Sequence, residues 1–278
     1  MIIEVNKKIN SNKKSNKKSG KNKKKKNIST KNVKKKKMSK RFKILLGIIT
    51  TIVLIMLLLT SGLFNIKTIE VEGNKKISDE KIISLSSIQL YTNLFKINKK
   101  DIKEKIKENA YIENVTISSQ LPSTLKIIVE ERTPKYMLQF ADSYVYINNQ
   151  GYMLEISNEK LEIPILIGFT TDLSNIKAGN RINIDDLKKM DMVIKIYEAA
   201  RSNDLGNLIT KIDISNEKNY TLVFESEGKR VYLGDCSDLN TRILYLKAIL
   251  EKSAGRNGEI FLNIDLNSQE AYFRPSSN

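Results

Sequence analysis

The chain shows three successive patterns of apolar and polar positions. Residues 1–43 are mostly Lys, Asn and Ser, with almost no apolar periodicity. The all-lysine runs at residues 23–26 and 34–37 repel one another and cannot bury enough surface to offset chain entropy, so this segment is predicted to be disordered. Residues 44–64 then carry no charge. At a rise of about 1.5 Å per residue, these 21 positions reach about 31 Å as a helix, roughly one hydrocarbon core, and they predict a transmembrane helix. A cleaved signal peptide has an apolar stretch of about 7–15 residues behind a short basic start. The stretch here is longer and follows a long tail, with Thr60-Ser61-Gly62 as a small-residue cleavage candidate near its end. The bases on its N-terminal side put the N-terminus in the cytoplasm and residues 65–278 outside. A single crossing is predicted, because no later stretch of this length is free of charge.

Past the span the period shortens to two. Ile69 and Val71 alternate with Glu70 and Glu72, and Gly73-Asn74 ends the strand, with Gly73 suited to positive φ. Ser78 is placed to cap a short helix carrying Asp79 and Glu80 in its first turn and Ile82, Leu85 and Ile88 on its apolar side. Asn98 caps a second helix through Ile102 and Ile106. Val115 and Ile117 mark a strand, Leu121-Pro122-Ser123 a turn, and Leu125, Ile127 and Val129 a further strand that Pro134 closes. The predicted order is β-α-α-β-β. Glu130, Glu131 and Arg132 read as an exposed strand end, not as a catalytic carboxylate pair.

The remainder begins with strand patterns at residues 136–140 and 144–147. Asn148-Asn149-Gln150-Gly151 turns the second of these into a hairpin ending at Ile156. Residues 162–168, an apolar run broken by Pro164, read as an edge or entry segment. Leu187, Met190, Ile194 and Tyr197 define one face of a helix. Strands follow at 209–214, 220–224 and 230–233. A second helix, with Leu239, Ile243, Leu246 and Leu250 inward, is expected to be capped by Ser237 and closed by Gly255. Ile260, Leu262 and Ile264 alternate with Phe261, Asn263 and Asp265, and a short strand at 270–274 is stopped by Pro275. The predicted class is α+β: a disordered basic tail (1–43), a transmembrane helix (44–64), a β-α-α-β-β domain (65–134) and a mixed β domain with two helices (135–278).

Composition changes this picture in one respect. The net charge of +17 suggests a nucleic-acid binder, but residues 1–43 hold 19 of the 48 bases and one of the 31 acids, leaving 29 bases and 30 acids elsewhere. The predicted folded part is nearly neutral, so no basic groove for nucleic acid is expected there. The tail reads as a topogenic signal resting on anionic lipid, with nucleic acid or an acidic partner as the other ligands it could take. The chain has no His, which removes the Ser-His-Asp and Cys-His arrangements and His-based zinc sites. Its one cysteine, Cys236, has no partner for an intrachain disulfide and reads as a small structural residue. No phosphate loop or metal spacing is found, so neither a cofactor nor a small-molecule substrate is expected.

The ordered set of motifs behind the span carries a resemblance. It comprises Phe64-Asn65-Ile66, Ile69-Glu70-Val71-Glu72-Gly73-Asn74, Asn93-Leu94-Phe95, Tyr111-Ile112-Glu113-Asn114-Val115, Leu121-Pro122-Ser123-Thr124-Leu125 and Val129-Glu130-Glu131-Arg132-Thr133-Pro134. Tyr146-Ile147-Asn148 with Gly151, Ile165-Leu166-Ile167-Gly168, Val231-Tyr232-Leu233-Gly234, the helix at 239–250 and Ile264-Asp265-Leu266 continue it. Together they resemble the FtsQ/DivIB bacterial cell-division proteins, whose external part is a POTRA domain followed by a β domain. The resemblance implies a non-catalytic scaffold of the divisome, a single-pass protein of the cell membrane enriched at the septum. It also implies that the terminal edge strand docks the FtsB/DivIC subunit of the FtsL–FtsB/DivIC pair by strand addition. The implied partner-binding residues are Glu270, Ala271, Tyr272, Phe273 and Arg274. The competing readings are a POTRA-like secretion or assembly factor, an envelope sensor whose tail reports inward, and a membrane-anchored wall enzyme, the last disfavoured by the absence of His.

Overall fold

The structure, a computed structural model, describes residues 38–266 and 268–276, so residues 1–37 of the expected disordered tail lie outside the described residues. The boundary between the chain's two compact units falls between Ile52 and Val53. Helix α1, Lys40–Leu59, buries none of its residues, and its mean hydropathy reaches 2.7. A helix apolar on every side suits a bilayer, where each polar group must be satisfied internally. Thr50 and Thr51 comply by donating their hydroxyls to the carbonyls of Leu46 (2.8 Å) and Gly47 (3.0 Å). The α-helix ends at Leu59, before the charge-free run does, and Gly62–Phe64 form a 3-10 turn. There the chain is captured by a later segment. Leu94 N donates to Phe64 O (2.9 Å) and Ile66 N to Thr92 O (2.9 Å).

The next elements follow the expected order: β1 (Thr68–Glu72), α2 (Asp79–Ser86), α3 (Lys99–Lys107), β2 (Ile112–Gln120) and β3 (Thr124–Glu131). The sheet order is β1-β3-β2, with β1 parallel and β2 antiparallel to β3. The parallel pair requires a long crossover, which α2, α3 and β2 provide. Both expected caps are made. Ser78 accepts from Lys81 N (3.3 Å), and Asn98 accepts from Lys100 N (3.1 Å) and Asp101 N (3.3 Å). Ile82, Ile102 and Ile106 pack on Leu125, Ile127 and Val129 to form the core. Gly73 has φ +87°, and a Cβ there would overlap the carbonyl oxygen of Val129, so only glycine fits.

The reading of residues 130–132 as a bare strand end is corrected in part. Glu130 is exposed. The Glu131 carboxylate, however, accepts from Lys76 N (2.8 Å) and Ile77 N (2.9 Å), ordering the loop before α2. Arg132 donates to the carbonyls of Ala110 (2.8 Å) and Ile112 (2.7 Å) and lies over the Tyr152 ring. These are structural duties that a linear pattern does not reveal.

The second sheet has nine strands: β4 (Tyr136–Phe140), β5 (Ser143–Ile147), β6 (Met153–Ser157), β7 (Ile165–Ile167), β8 (Lys211–Asp213), β9 (Tyr220–Phe224), β10 (Lys229–Gly234), β11 (Gly258–Phe261) and β12 (Tyr272–Pro275). Their order is β12-β11-β10-β9-β8-β7-β4-β5-β6. Helices α4 (Ile184–Arg201) and α5 (Leu239–Lys252) cover one face. Met137, Tyr146 and Ile165 form a small cluster on the other face with Tyr144, Leu161 and Ile163.

Three expectations fail here for local reasons. The segment 162–168 is interior, since β7 runs parallel to both β4 and β8. Pro164 stands just before that strand, where its missing N–H costs no ladder bond, and its carbonyl accepts from Met137 N (2.9 Å). The buried face of α4 is Met190, Val193, Ile196 and Ala200, with Leu187, Ile194 and Tyr197 at its margins. The rotation admits the fully buried Asp186. Its carboxylate accepts from Thr170 N (2.9 Å) and the hydroxyls of Thr170 (3.1 Å) and Thr171 (2.6 Å), which offset the cost of burying it. Ser237 does not cap α5, because its own N–H and hydroxyl donate to Asp235 Oδ1 (3.0 and 2.8 Å), while Asp238 occupies the cap position without a side-chain bond.

The β-α-α-β-β unit and the nine-stranded sheet meet through polar contacts. Glu155 Oε2 on β6 accepts from Tyr111 Oη and Lys76 Nζ, both at 2.6 Å. Gln150 Nε2 donates to Glu113 Oε1 (2.7 Å), and the guanidiniums of Arg132 and Arg181 lie 4.2 and 5.0 Å from the centre of the Tyr152 ring. The two hydrogen bonds, Lys76 first and Tyr111 second, hold the Glu155 carboxyl below the usual carboxylate range.

Candidate partner-docking edge

Of the two edges of the nine-stranded sheet, one is covered where it begins. Beside β6, Met153 N donates to Asn180 O (2.8 Å), Gly179 N to Met153 O (2.8 Å) and Ile182 N to Gly151 O (3.0 Å). The outer side of β12 has no strand beside it among the described residues. An uncovered edge presents free N–H and C=O groups to any extended segment.

The sequence-predicted site falls on and just before this edge. The strand begins at Tyr272, so Glu270 and Ala271 form its approach. It also includes Pro275, the residue expected to stop it. The register explains this. β12 pairs antiparallel with β11, matching Tyr272 with Phe261, Phe273 with Ile260, Arg274 with Glu259 and Pro275 with Gly258. Ser276 N donates to Asn257 O (3.0 Å), so by strict alternation the pairs 274/259 and 272/261 are also hydrogen-bonded. The backbone groups of Phe273 and the carbonyl of Pro275 therefore face the open side. Pro275 lacks only a donor that the ladder does not use.

The side chains divide by face. Ala271 and Phe273 pack against the helix-covered core. Close approach makes this possible: a Cβ on Gly258 would overlap the carbonyl of Arg274 and lie 2.7 Å from the Phe273 ring. Arg256 sits 5.1 Å from the centre of that ring. Tyr272, 49% exposed, points to the other face and stacks on Phe261 (4.8 Å, 14°), which stacks on Tyr232 (5.0 Å, 24°). Arg274 pairs with Glu259 and lies 4.7 Å from the Phe261 centroid, while Tyr232 Oη donates to Glu259 Oε1 (2.7 Å). Hydrogen bonds from Arg274 and then Tyr232 hold the Glu259 carboxyl below its usual range. Glu270 is exposed.

Sequence reasoning found the strand and missed its floor. Tyr232, Phe261 and Glu259 belong to other strands and join Tyr272 and Arg274 only through register. The available signal was the outward phase of Phe261 between inward Ile260 and Leu262. The site's chemistry suits recognition: backbone groups for an added strand, an aromatic strip for apolar side chains and a fixed ion pair for orientation. Cys236 lies elsewhere, half-buried, its thiol pushed up to about 12 chiefly by burial, as a structural residue would be. Among the described residues no three His, Cys, Asp or Glu side chains cluster to hold a metal.

Comparison with known proteins agrees with this architecture. The family described as "POTRA domain, FtsQ-type" matches residues 64–132, the β-α-α-β-β unit. The cell division protein DivIB of Clostridium acetobutylicum is 31% identical over 175 residues, covering 63% of this chain and 69% of that protein. DivIB of Clostridium botulinum is 32% identical over 216 residues, covering 75% and 83%. The cell division protein FtsQ of a Geobacter species is 27% identical over 178 residues, covering 62% of each. With one described helix able to cross a membrane, an FtsQ-type POTRA domain and relatives of this closeness, the chain belongs to the DivIB/FtsQ family of cell division proteins.

Proposed function

We propose that this membrane-anchored division protein is a non-catalytic scaffold that binds other division proteins by accepting an extended segment along β12. The observation that carries the proposal is the uncovered edge itself, flanked by the Tyr232–Phe261–Tyr272 strip. The partner is the FtsL–FtsB/DivIC-type pair, with the FtsB/DivIC-type subunit supplying the strand. Backbone pairing gives affinity, and alternate side chains reaching the aromatic strip and the Arg274–Glu259 pair give specificity. The N-terminus is cytoplasmic, the folded region external, and the protein gathers at the septum to assemble or stabilise the complex there.

The test is a titration of the full chain in lipid nanodiscs with the external segments of the pair, beside a chain ending at Gln269. Binding lost on truncation, with the circular dichroism of the folded region retained, supports both the role and the edge. Binding that survives truncation removes β12 as the site. No binding by either chain counts against the scaffold reading for this pair.

A further inference from the structure

The structure places an unexplained apolar patch beside the end of α1. Leu63, Leu90, Tyr91 and Phe95 are 52%, 50%, 71% and 52% exposed. They lie on two chain segments brought together by hydrogen bonds: Tyr91 N to Ile66 O (2.8 Å), Ile66 N to Thr92 O (2.9 Å) and Leu94 N to Phe64 O (2.9 Å). Phe64 and Phe95 meet edge to face at 5.2 Å. Tyr91 is held at φ +68°, a conformation that costs energy for a bulky residue and projects its ring from the turn. Between the two segments, the buried Asn93 donates its Nδ2 to the carbonyls of Leu59 (3.0 Å) and Ser61 (3.3 Å). The Leu59 carbonyl ends α1 and is one of those with no partner within the helix, while the Ser61 carbonyl, just past it, also accepts from Phe64 N (3.3 Å).

The length of the helix says what covers this patch. After its last charge, Lys43, the helix runs over residues 44–59, about 24 Å at 1.5 Å per residue. A hydrocarbon core is about 30 Å thick, so the segment that follows Leu59 must complete the crossing. Leu63 and Phe64 then stand at the depth of the headgroups, and the backbone hydrogen bonds between the two segments bring Leu90, Tyr91 and Phe95 to the same level. Aromatic and aliphatic side chains are favoured at that boundary. Lys67 and Lys96, both exposed, flank the patch, where long lysine side chains reach past apolar surface to set their ammonium groups among headgroups and water.

We propose that the FtsQ-type POTRA domain rests on the outer surface of the bilayer, with Leu63, Leu90, Tyr91 and Phe95 inserted at the lipid interface. The proposal rests on α1 crossing the membrane and is independent of the β12 edge. The bound lipid would fix how the external domain leaves the membrane, leaving β12 free for a protein partner.

The chain has no Trp, so a single introduced Trp reports its own surroundings. The full-length variants Tyr91→Trp, Phe95→Trp, Leu54→Trp (in the span) and Tyr245→Trp (exposed on α5) would be reconstituted in vesicles with and without bromine on the lipid acyl chains. The expected result is that the reporters at positions 91 and 95, like the one at position 54, emit to the blue, lose most of their emission to brominated lipid and resist aqueous acrylamide, while the one at position 245 does the reverse. Quenching at position 54 but not at 91 or 95 overturns the proposal. Protection of 91 and 95 from acrylamide without quenching by bromine also overturns it, because protein and not lipid then covers them. An unquenched position 54 removes the span reading and the proposal with it.

Discussion

At the scale of single residues, the docking edge depends on where each side chain points. Tyr272 is exposed and Phe273 is packed on the core, so the two substitutions separate binding from folding. Tyr272→Lys is expected to leave the melting temperature nearly unchanged while weakening partner binding about tenfold, or about 1.4 kcal/mol. Phe273→Ala is expected to cost about 1–3 kcal/mol of stability as well, less than a fully buried Phe would. A calorimetric melt beside the binding titration checks both, and equal stability losses would contradict the assigned faces. Gly258→Ala makes a sharper case. Its Cβ would force β12 away from β11, so backbone amides of Tyr272–Pro275 should exchange faster with solvent while those of β9 stay protected. Unchanged exchange at β12 would show that the close approach is relaxed in solution.

At the scale of elements, the contact between the POTRA domain and the β domain is predicted to be acid-sensitive. Glu155 has a depressed pKa when folded, so its contribution is complete above the ordinary glutamate value, about pH 4.3, and is lost as pH falls through the folded value. Lys76 and Glu155 are substantially exposed (50% and 38%), so water screens the pair and its contribution is about 1 kcal/mol or less. Tyr111, pushed up to about 12 by burial and then by Glu155, remains a donor throughout this range. Glu155→Gln should therefore be less stable than the native chain at pH 7, with a smaller difference at about pH 3, the loss running down through the folded value. Denaturant melts at both pH values test the sign, and a difference that grows on acidification would reverse it.

At the scale of the whole molecule, charge and fold are separate devices. Under the proposed topology the 19 bases of residues 1–43 would act through charge on orientation, whereas the nearly neutral remainder would act through shape. Scrambling residues 1–43 at constant composition is expected to leave the external domain accessible to added protease in spheroplasts and the protein at the septum. Loss of septal localisation with topology intact would show that the tail carries a specific signal.

What the sequence determined by itself was whatever depends on neighbours along the chain. The charge-free stretch marked the span. Ser78 and Asn98 marked helix starts, because a cap contacts amides two or three residues away. Gly73 announced a positive φ, and the order β-α-α-β-β followed from alternating periods. The hairpin at residues 148–151 and the terminal strand were equally legible. What only the tertiary structure decided depends on residues far apart. Pro164 suggested an edge until β4 and β8 were seen on either side of β7. Asp186 became a core residue because Thr170 and Thr171 satisfy its carboxylate. Tyr232, Phe261 and Tyr272 form one strip because strand register, set by packing of the opposite face, aligns them. Leu63 and Phe95 became one surface because backbone hydrogen bonds join their segments. Local energies fix caps, turns and strand phase, whereas register, pairing and burial come from contacts whose partners a linear pattern does not specify.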